Sequence, residues 1–215
     1  MQTGHHPARI GEELLGGSRL FVVSNRGPLS IVPDEESPDR LSARRGSGGL
    51  VTALGGIAAH LPVTWVAAAL DDGDRVAARS RGSLERIVRA ALPGHDLRLV
   101  LVALPEEVHR AYYGVVANPF LWFLQHGLEL GQEVAADDGS LLDAWRTGYV
   151  AANERMAAAT LRAIARVERP VVWVHDYQLY LVPELIRRAR PDATIAHFTH
   201  IPWPAHSAWE MAPDP

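Results

Sequence analysis

Five short apolar runs, separated by stretches patterned as helices, constrain this chain more than anything else in it. They are RLFVVS over Arg19–Ser24, VTWVAAAL over Val63–Leu70, LRLVLVAL over Leu97–Leu104, and two more over residues 170–175 and 194–199. Each is too short for a typical helix and is flanked by turn-forming residues, which reads as a buried strand. Between them lie a small-residue helix from Gly46 (GSGGLVTALGGIAAHL), an amphipathic one from Ser83 (SLERIVRAAL), and an aromatic helical stretch over 105–130, broken near Asn118-Pro119. A long helical pattern follows over 141–168, and a shorter one over 178–190. Such alternation means βαβ units, hence a mostly parallel sheet with helices on both faces. The runs need not alternate in polarity, because both faces are covered.

Residues 28–48 are rich in Pro, Asp, Glu, Ser, Arg and Gly and read as a long loop, with a small hairpin at Leu29–Val32. Loops of that length in compact domains are functional or disordered. The expected organisation is a mobile tail over 1–18 and one domain over 19–215. Its fold class is α/β: a Rossmann-like, doubly wound, mostly parallel sheet. The chain has no cysteine, which excludes disulfides, thiolate catalysis and Cys-ligated zinc. That absence fits a reducing compartment, and the expected localisation is cytoplasmic. Net charge is −4 with no long basic run, so there is no electrostatic footprint for nucleic acid. No stretch of about 18 apolar residues exists to span a membrane, and the N-terminus lacks an apolar signal core.

In doubly wound sheets ligands bind outside the carboxyl ends of the strands. His175-Asp176 and His200 stand where two strands end, and Asn25-Arg26 follows the first strand to the same edge. A lone strand-end His is commonly a structural hydrogen-bonder and a lone Arg a solvated charge. Three strand ends delivering polar groups to one edge favour a site. Arg45-Gly46-Ser47-Gly48-Gly49-Leu50 lets a ligand approach the backbone at a helix N-terminus, or is a plain helix-start turn. Tyr112, Tyr113 and Trp122 offer rings with polar tips that suit a sugar, whereas Phe120 and Phe123 read as core. A metal site at His197, His200 and His206 is disfavoured. On a strand His197 and His200 face opposite sides, and no matched carboxylate accompanies them. No nucleophile elbow of the G-x-S-x-G type is present. No acidic pair of the glycosidase kind stands out beyond the turn Asp71–Asp74, which reads as a solvated loop.

The segments FVVSNRGP, GSGGLVTAL, YYGVVANPFLW, GYVAANERMA, VWVHDYQLYLVPELIR and HFTHIPWP stand in the order seen in the trehalose-6-phosphate synthases, the retaining glycosyltransferases of family 20. The chain resembles that family over residues 19–209. The resemblance implies the GT-B architecture of two Rossmann-like domains, of which this chain is the N-terminal, acceptor-side one, the C-terminal nucleotide-binding domain being absent from it. It implies transfer of glucose from a nucleotide sugar, UDP-glucose, to glucose 6-phosphate, giving trehalose 6-phosphate, with no metal ion or other cofactor. By the same resemblance Arg26 looks like the acceptor-phosphate ligand, and Tyr113 and Trp122 like further acceptor contacts. Asp176 looks like the partner of an acceptor hydroxyl. Gly48 and Gly49 look like the turn against the donor, and His200 like the residue at the donor glucose and the reacting centre. Asp176 and His200 are therefore the expected catalytic pair.

Two departures qualify the resemblance. The family's Trp-x-Gly-Trp stretch is here Trp65-Val66-Ala67-Ala68, so the second tryptophan, an acceptor contact, is missing. The other is the absent C-terminal domain, so the chain alone is expected to be inactive. Other readings are a family-20 transferase with another acceptor (a glucosylglycerol-phosphate synthase or a pseudo-glycosyltransferase) and a non-catalytic sugar-phosphate-binding module. The expected partners are small molecules, a sugar phosphate and a nucleotide sugar. A homo-oligomer of the full-length protein is the one protein partner considered.

Overall fold

The computed structural model describes residues 15–16, 19–34, 40–45, 58, 60–129 and 139–213. Most of the expected tail over 1–18, the glycines Gly48 and Gly49, and most of the helix predicted from Gly46 lie outside them.

Five parallel strands form the sheet: β1 (Leu20–Ser24), β4 (Val63–Ala68), β5 (Leu97–Val102), β6 (Val171–His175) and β7 (Thr194–Phe198), in the order β5-β4-β1-β6-β7. A smaller antiparallel pair, β2 (Leu29–Pro33) and β3 (Leu41–Arg45), occupies the stretch read as a long loop. Among the described residues, helices cover both faces of the sheet. Two of them, α1 (Asp72–Ala78) and α2 (Arg81–Ala91), lie on one face. On the other lie α3, α4 and α5. The long α3 runs through Glu106–Ala111, Tyr112–Trp122 and Phe123–His126, and α4 through Ser140–Ala144, Trp145–Val150 and Ala151–Ile164; α5 is Val182–Ala189.

Side chains of a strand point alternately to the two faces, and the central strands divide accordingly. Phe21, Val23, Val66 and Ala68 enter the core beneath α3, α4 and α5. Leu20, Val22, Val63, Trp65 and Ala67 enter the core shared with α1, α2 and the β2–β3 pair. Every residue of β1 and β4 is buried, as expected of strands covered on both sides. Edge strand β7 is instead largely exposed, Phe198 included.

The acidic turn expected over Asp71–Asp74 is no solvated loop. Asp71 caps α1, and Asp74 is buried at 3% exposure, accepting hydrogen bonds from the backbone N–H groups of Ile31 (2.7 Å), Leu70 (3.1 Å) and Asp71 (3.4 Å). Through Ile31 it fastens the hairpin to α1. Gly73 makes this possible, since a Cβ there would lie 2.0 Å from the Ile31 carbonyl oxygen.

Nor does the chain break at Asn118-Pro119. Helix α3 passes straight through, with Tyr112–Trp122 wound as a π-helix. In an α-helix the proline ring strikes the carbonyl four residues back; the wider π turn moves that carbonyl aside. A second π-helical stretch, Trp145–Val150, lies against the first. Gly148 lets the helices meet there, since a Cβ would fall 2.5 Å from Ala111 Cβ and 2.6 Å from the Tyr112 nitrogen.

Candidate functional site

Strands β7, β6 and β1 are consecutive neighbours and all parallel, so their carboxyl ends share one edge. Arg26 follows β1, Asp176 follows β6 and His200 lies two residues beyond β7.

The turn after β1 is fixed from below. Trp65 Nε1–H donates to Ser24 Oγ (2.7 Å), and the Ser24 hydroxyl donates to the Arg26 carbonyl (2.7 Å). The Asn25 carbonyl accepts from the Ala68 N–H (3.2 Å), while Asn25 Oδ1 accepts from the buried Tyr112 hydroxyl (3.0 Å). With Ser24 and Asn25 buried and tied, Arg26 is left exposed at the sheet edge. Ala67 and Ala68 are both buried in β4.

Asp176 sits at φ 74°, ψ 169°, a backbone region that residues other than glycine rarely enter. Five hydrogen bonds enforce it. Its N–H donates to the Phe198 carbonyl (2.8 Å), and its carbonyl accepts from the Leu179 N–H (3.1 Å) and from His197 Nε2 (3.1 Å). Its Oδ1 accepts from the Tyr177 N–H (3.1 Å), capping the short 3₁₀ turn Tyr177–Leu179. The same oxygen accepts from the His200 N–H (3.2 Å), which joins the ends of β6 and β7. Asp176 thus caps and also bridges. A strained conformation of this kind costs on the order of 1–3 kcal/mol and persists where the surroundings over-determine it, commonly at functional sites.

His197 and His200 do not diverge as their spacing on a strand would require. The strand stops at Phe198, and both residues turn toward Asp176. Among the described residues no group of three or more potential ligands could hold a metal ion.

The His200 ring also meets His175, which is 1% exposed: His175 Nδ1 lies 3.1 Å from His200 Nε2, with the rings nearly parallel. Burial, then the neighbouring His200 and His197, lowers the His175 pKa to about 4, so its ring is neutral near pH 7.

Helix α3 carries Tyr113 and Trp122, both half-buried, and their neighbours tether it to the strand ends. The residue before Tyr113 holds the Asn25 turn, and Asn118 Oδ1 accepts from the Tyr177 hydroxyl (2.9 Å) beside Asp176. Further along, Gln125 Oε1 accepts from the Tyr180 hydroxyl (2.6 Å). Tyr113 stacks on His109, and Trp122 packs on His126 at 4.1 Å between centroids. Phe120 is core, as its type and spacing suggest, whereas Phe123 is only half-buried.

Sequence reasoning gave no role to the residues that hold this frame. Tyr149 donates its hydroxyl to the Tyr177 carbonyl (2.6 Å) and accepts from the Tyr180 N–H (3.1 Å). Asn153 donates to the Gln178 carbonyl (3.1 Å) and accepts from the Leu181 N–H (3.2 Å). An Asn one helical turn after a Tyr, within a run of small apolar residues, was the available signal. Burial pushes the Tyr112 and Tyr149 pKa values well up, so both hydroxyls stay protonated and able to donate.

Arranged this way, the edge offers a guanidinium for a phosphate, a carboxylate and an imidazole for hydroxyls, and ring faces for a sugar. Residues 18–214 match the family profile described as Glycosyltransferase family 20. Alpha,alpha-trehalose-phosphate synthase [UDP-forming] A of Dictyostelium discoideum is 34% identical over 198 residues, 91% of this chain and 24% of that protein. Trehalose-6-phosphate synthase of Mycolicibacterium smegmatis is 37% identical over 205 residues, 94% of this chain and 34% of its own length. A crystal structure of an alpha,alpha-trehalose-phosphate synthase (UDP-forming) from Burkholderia xenovorans, in complex with glucose-6-phosphate, superposes with a TM-score of 0.58. It shares 21% identity and covers 91% of this chain and 36% of the other. The chain therefore spans between a quarter and about a third of the length of these relatives.

Proposed function

The chain belongs to glycosyltransferase family 20, and on that premise we propose that it is the acceptor-side part of a retaining transferase that moves glucose from UDP-glucose to glucose 6-phosphate. The observation that carries this reading is the delivery of Arg26, Asp176 and His200 to one edge by three adjacent strands, beside an aromatic helix tied to the same turns. Arg26 would take the acceptor phosphate through its planar fork. Asp176, with Oδ1 engaged by the backbone, would turn its remaining oxygen to an acceptor hydroxyl and orient it. Tyr113 and Trp122 would line the sugar faces, and His200 would touch the donor glucose at the reacting centre. Gly48 and Gly49 would bring backbone N–H groups to the donor diphosphate.

Isothermal titration of this chain tests the acceptor half of the proposal. Glucose 6-phosphate should bind more tightly than glucose, and Arg26→Ala should weaken the phosphorylated sugar roughly 10- to 100-fold, as for loss of a charge-assisted hydrogen bond worth about 1.5–3 kcal/mol. Equal loss for both sugars, or no preference for the phosphate in the unsubstituted chain, would overturn it. A second reading, a family-20 transferase with a different acceptor, is favoured by one observation. Ala68 is buried where the family carries a tryptophan contact, so one wall of the acceptor site differs. Stronger competition by glycerol 3-phosphate than by glucose 6-phosphate would select it.

A further inference from the structure

His175 has no role in that reading, yet it is the most buried titratable group at the strand ends. Its ring lies between Trp173 (centroids 4.6 Å apart) and His200 (5.4 Å). We infer that His175 is a positioning residue that sets the tautomer of His200. Its Nδ1–H donates to His200 Nε2, so His200 carries its own proton on Nδ1 and presents that nitrogen as a hydrogen-bond donor to an oxygen of a bound ligand.

The argument begins from the two nitrogens of His175. Nδ1 lies 3.1 Å from His200 Nε2. Nε2 is buried and has no hydrogen-bond partner among the described residues. A neutral imidazole has one N–H. If that proton sat on Nε2, a donor would be stranded in the interior while Nδ1 accepted from His200. With the proton on Nδ1, the short contact is satisfied and only a lone pair is stranded. Orphaned buried N–H groups are rarer than under-satisfied acceptors, so the second arrangement is the stable one. The groups around the pair do not reverse it. His197 is engaged with the Asp176 carbonyl, and Asp176 Oδ1 takes the backbone N–H of His200, not its ring.

The consequence for His200 follows by elimination. Its Nε2 is an acceptor already in use, so its proton resides on Nδ1, the reverse of the tautomer a free histidine prefers in water. At an exposed residue that N–H is available to an acceptor oxygen: a sugar hydroxyl, a ring oxygen or a phosphate. Only this ligand statement rests on the function proposed above; the tautomer itself does not.

Nitrogen-15 NMR of the histidine rings in the full chain at neutral pH tests the inference. The proton between the two rings should show its one-bond coupling to His175 Nδ1. His200 should then show a protonated-type Nδ1 and an unprotonated-type Nε2. In His175→Phe, which fills the space but removes the donor, His200 should shift toward the Nε2–H form. A bridging proton bound to His200 Nε2 in the unsubstituted chain would overturn the inference, whether or not the variant folds. Titration with UDP-glucose separates the two statements. If the His200 Nδ1–H signal does not move on saturation, the donor-contact reading fails while the measured tautomer still stands or falls on its own coupling.

Discussion

Asp176 combines a cap, a bridge between strand ends and a proposed ligand contact in one side chain, and these roles separate by substitution. Asp176→Asn keeps an oxygen to accept the Tyr177 and His200 N–H groups and the same Cβ, so the backbone strain is unchanged and stability should stay within about 0.5 kcal/mol. Its affinity for glucose 6-phosphate should nevertheless fall on the order of tenfold or more, because the charged acceptor is gone. Asp176→Ala should cost about 2 kcal/mol in stability, having lost the cap on Tyr177 and the bridge to the His200 N–H. Unchanged affinity in the Asn variant would reduce Asp176 to a structural cap. At this scale much was legible in advance. Arg26, Asp176 and His200 declare themselves by following strands, and the topology rule for such sheets gathers them at one edge. What stayed hidden was the pairing. No rule of spacing relates His175 to His200, because their contact depends on how far the chain runs beyond β7 before turning back.

At the level of elements, the strands were read to within a residue or two, because short apolar runs covered on both faces have few alternatives. The π-helical passage through Pro119 and the burial of Asp74 were not legible, since both depend on what packs against them. Gly148 shows the dependence most directly. It admits α4 against α3 at Ala111 and Tyr112, where no Cβ fits. Gly148→Ala should therefore push the two helices apart and cost on the order of 2 kcal/mol or more, read by denaturant unfolding. The same displacement should loosen the Tyr112–Asn25 bond and weaken ligand binding, although Gly148 touches no ligand. A variant of unchanged stability would mean that the helices close against one another less tightly than their contact at Ala111 requires.

For the molecule as a whole, two buried ionisable groups set opposite trends with pH. His175 binds its proton in the folded chain only near pH 4, while an unfolded histidine does so near 6.5. The unfolded state therefore takes up the extra proton first, and stability is lost as pH falls from 6.5 toward 4, by up to about 3 kcal/mol. Asp74 behaves oppositely. Burial raises its pKa above the usual 3.8 against the pull of three backbone N–H groups, so its contribution is present below 3.8 and lost as pH rises through the folded value. Melting temperature should fall through the histidine window, and the fall should shrink in His175→Phe; an identical slope in that variant would assign the loss to other groups. The strand order β5-β4-β1-β6-β7 has a consequence in time. Of the described strands the first in the chain is the central one, and it pairs on one side with β4 and on the other with β6, Leu20 lying beside Val171. A chain emerging from the ribosome can complete that middle seam only after some 150 further residues have followed, and closing so long a loop is slow. The edge that gathers Arg26, Asp176 and His200 consequently forms only after β1, β4 and β5 have been made.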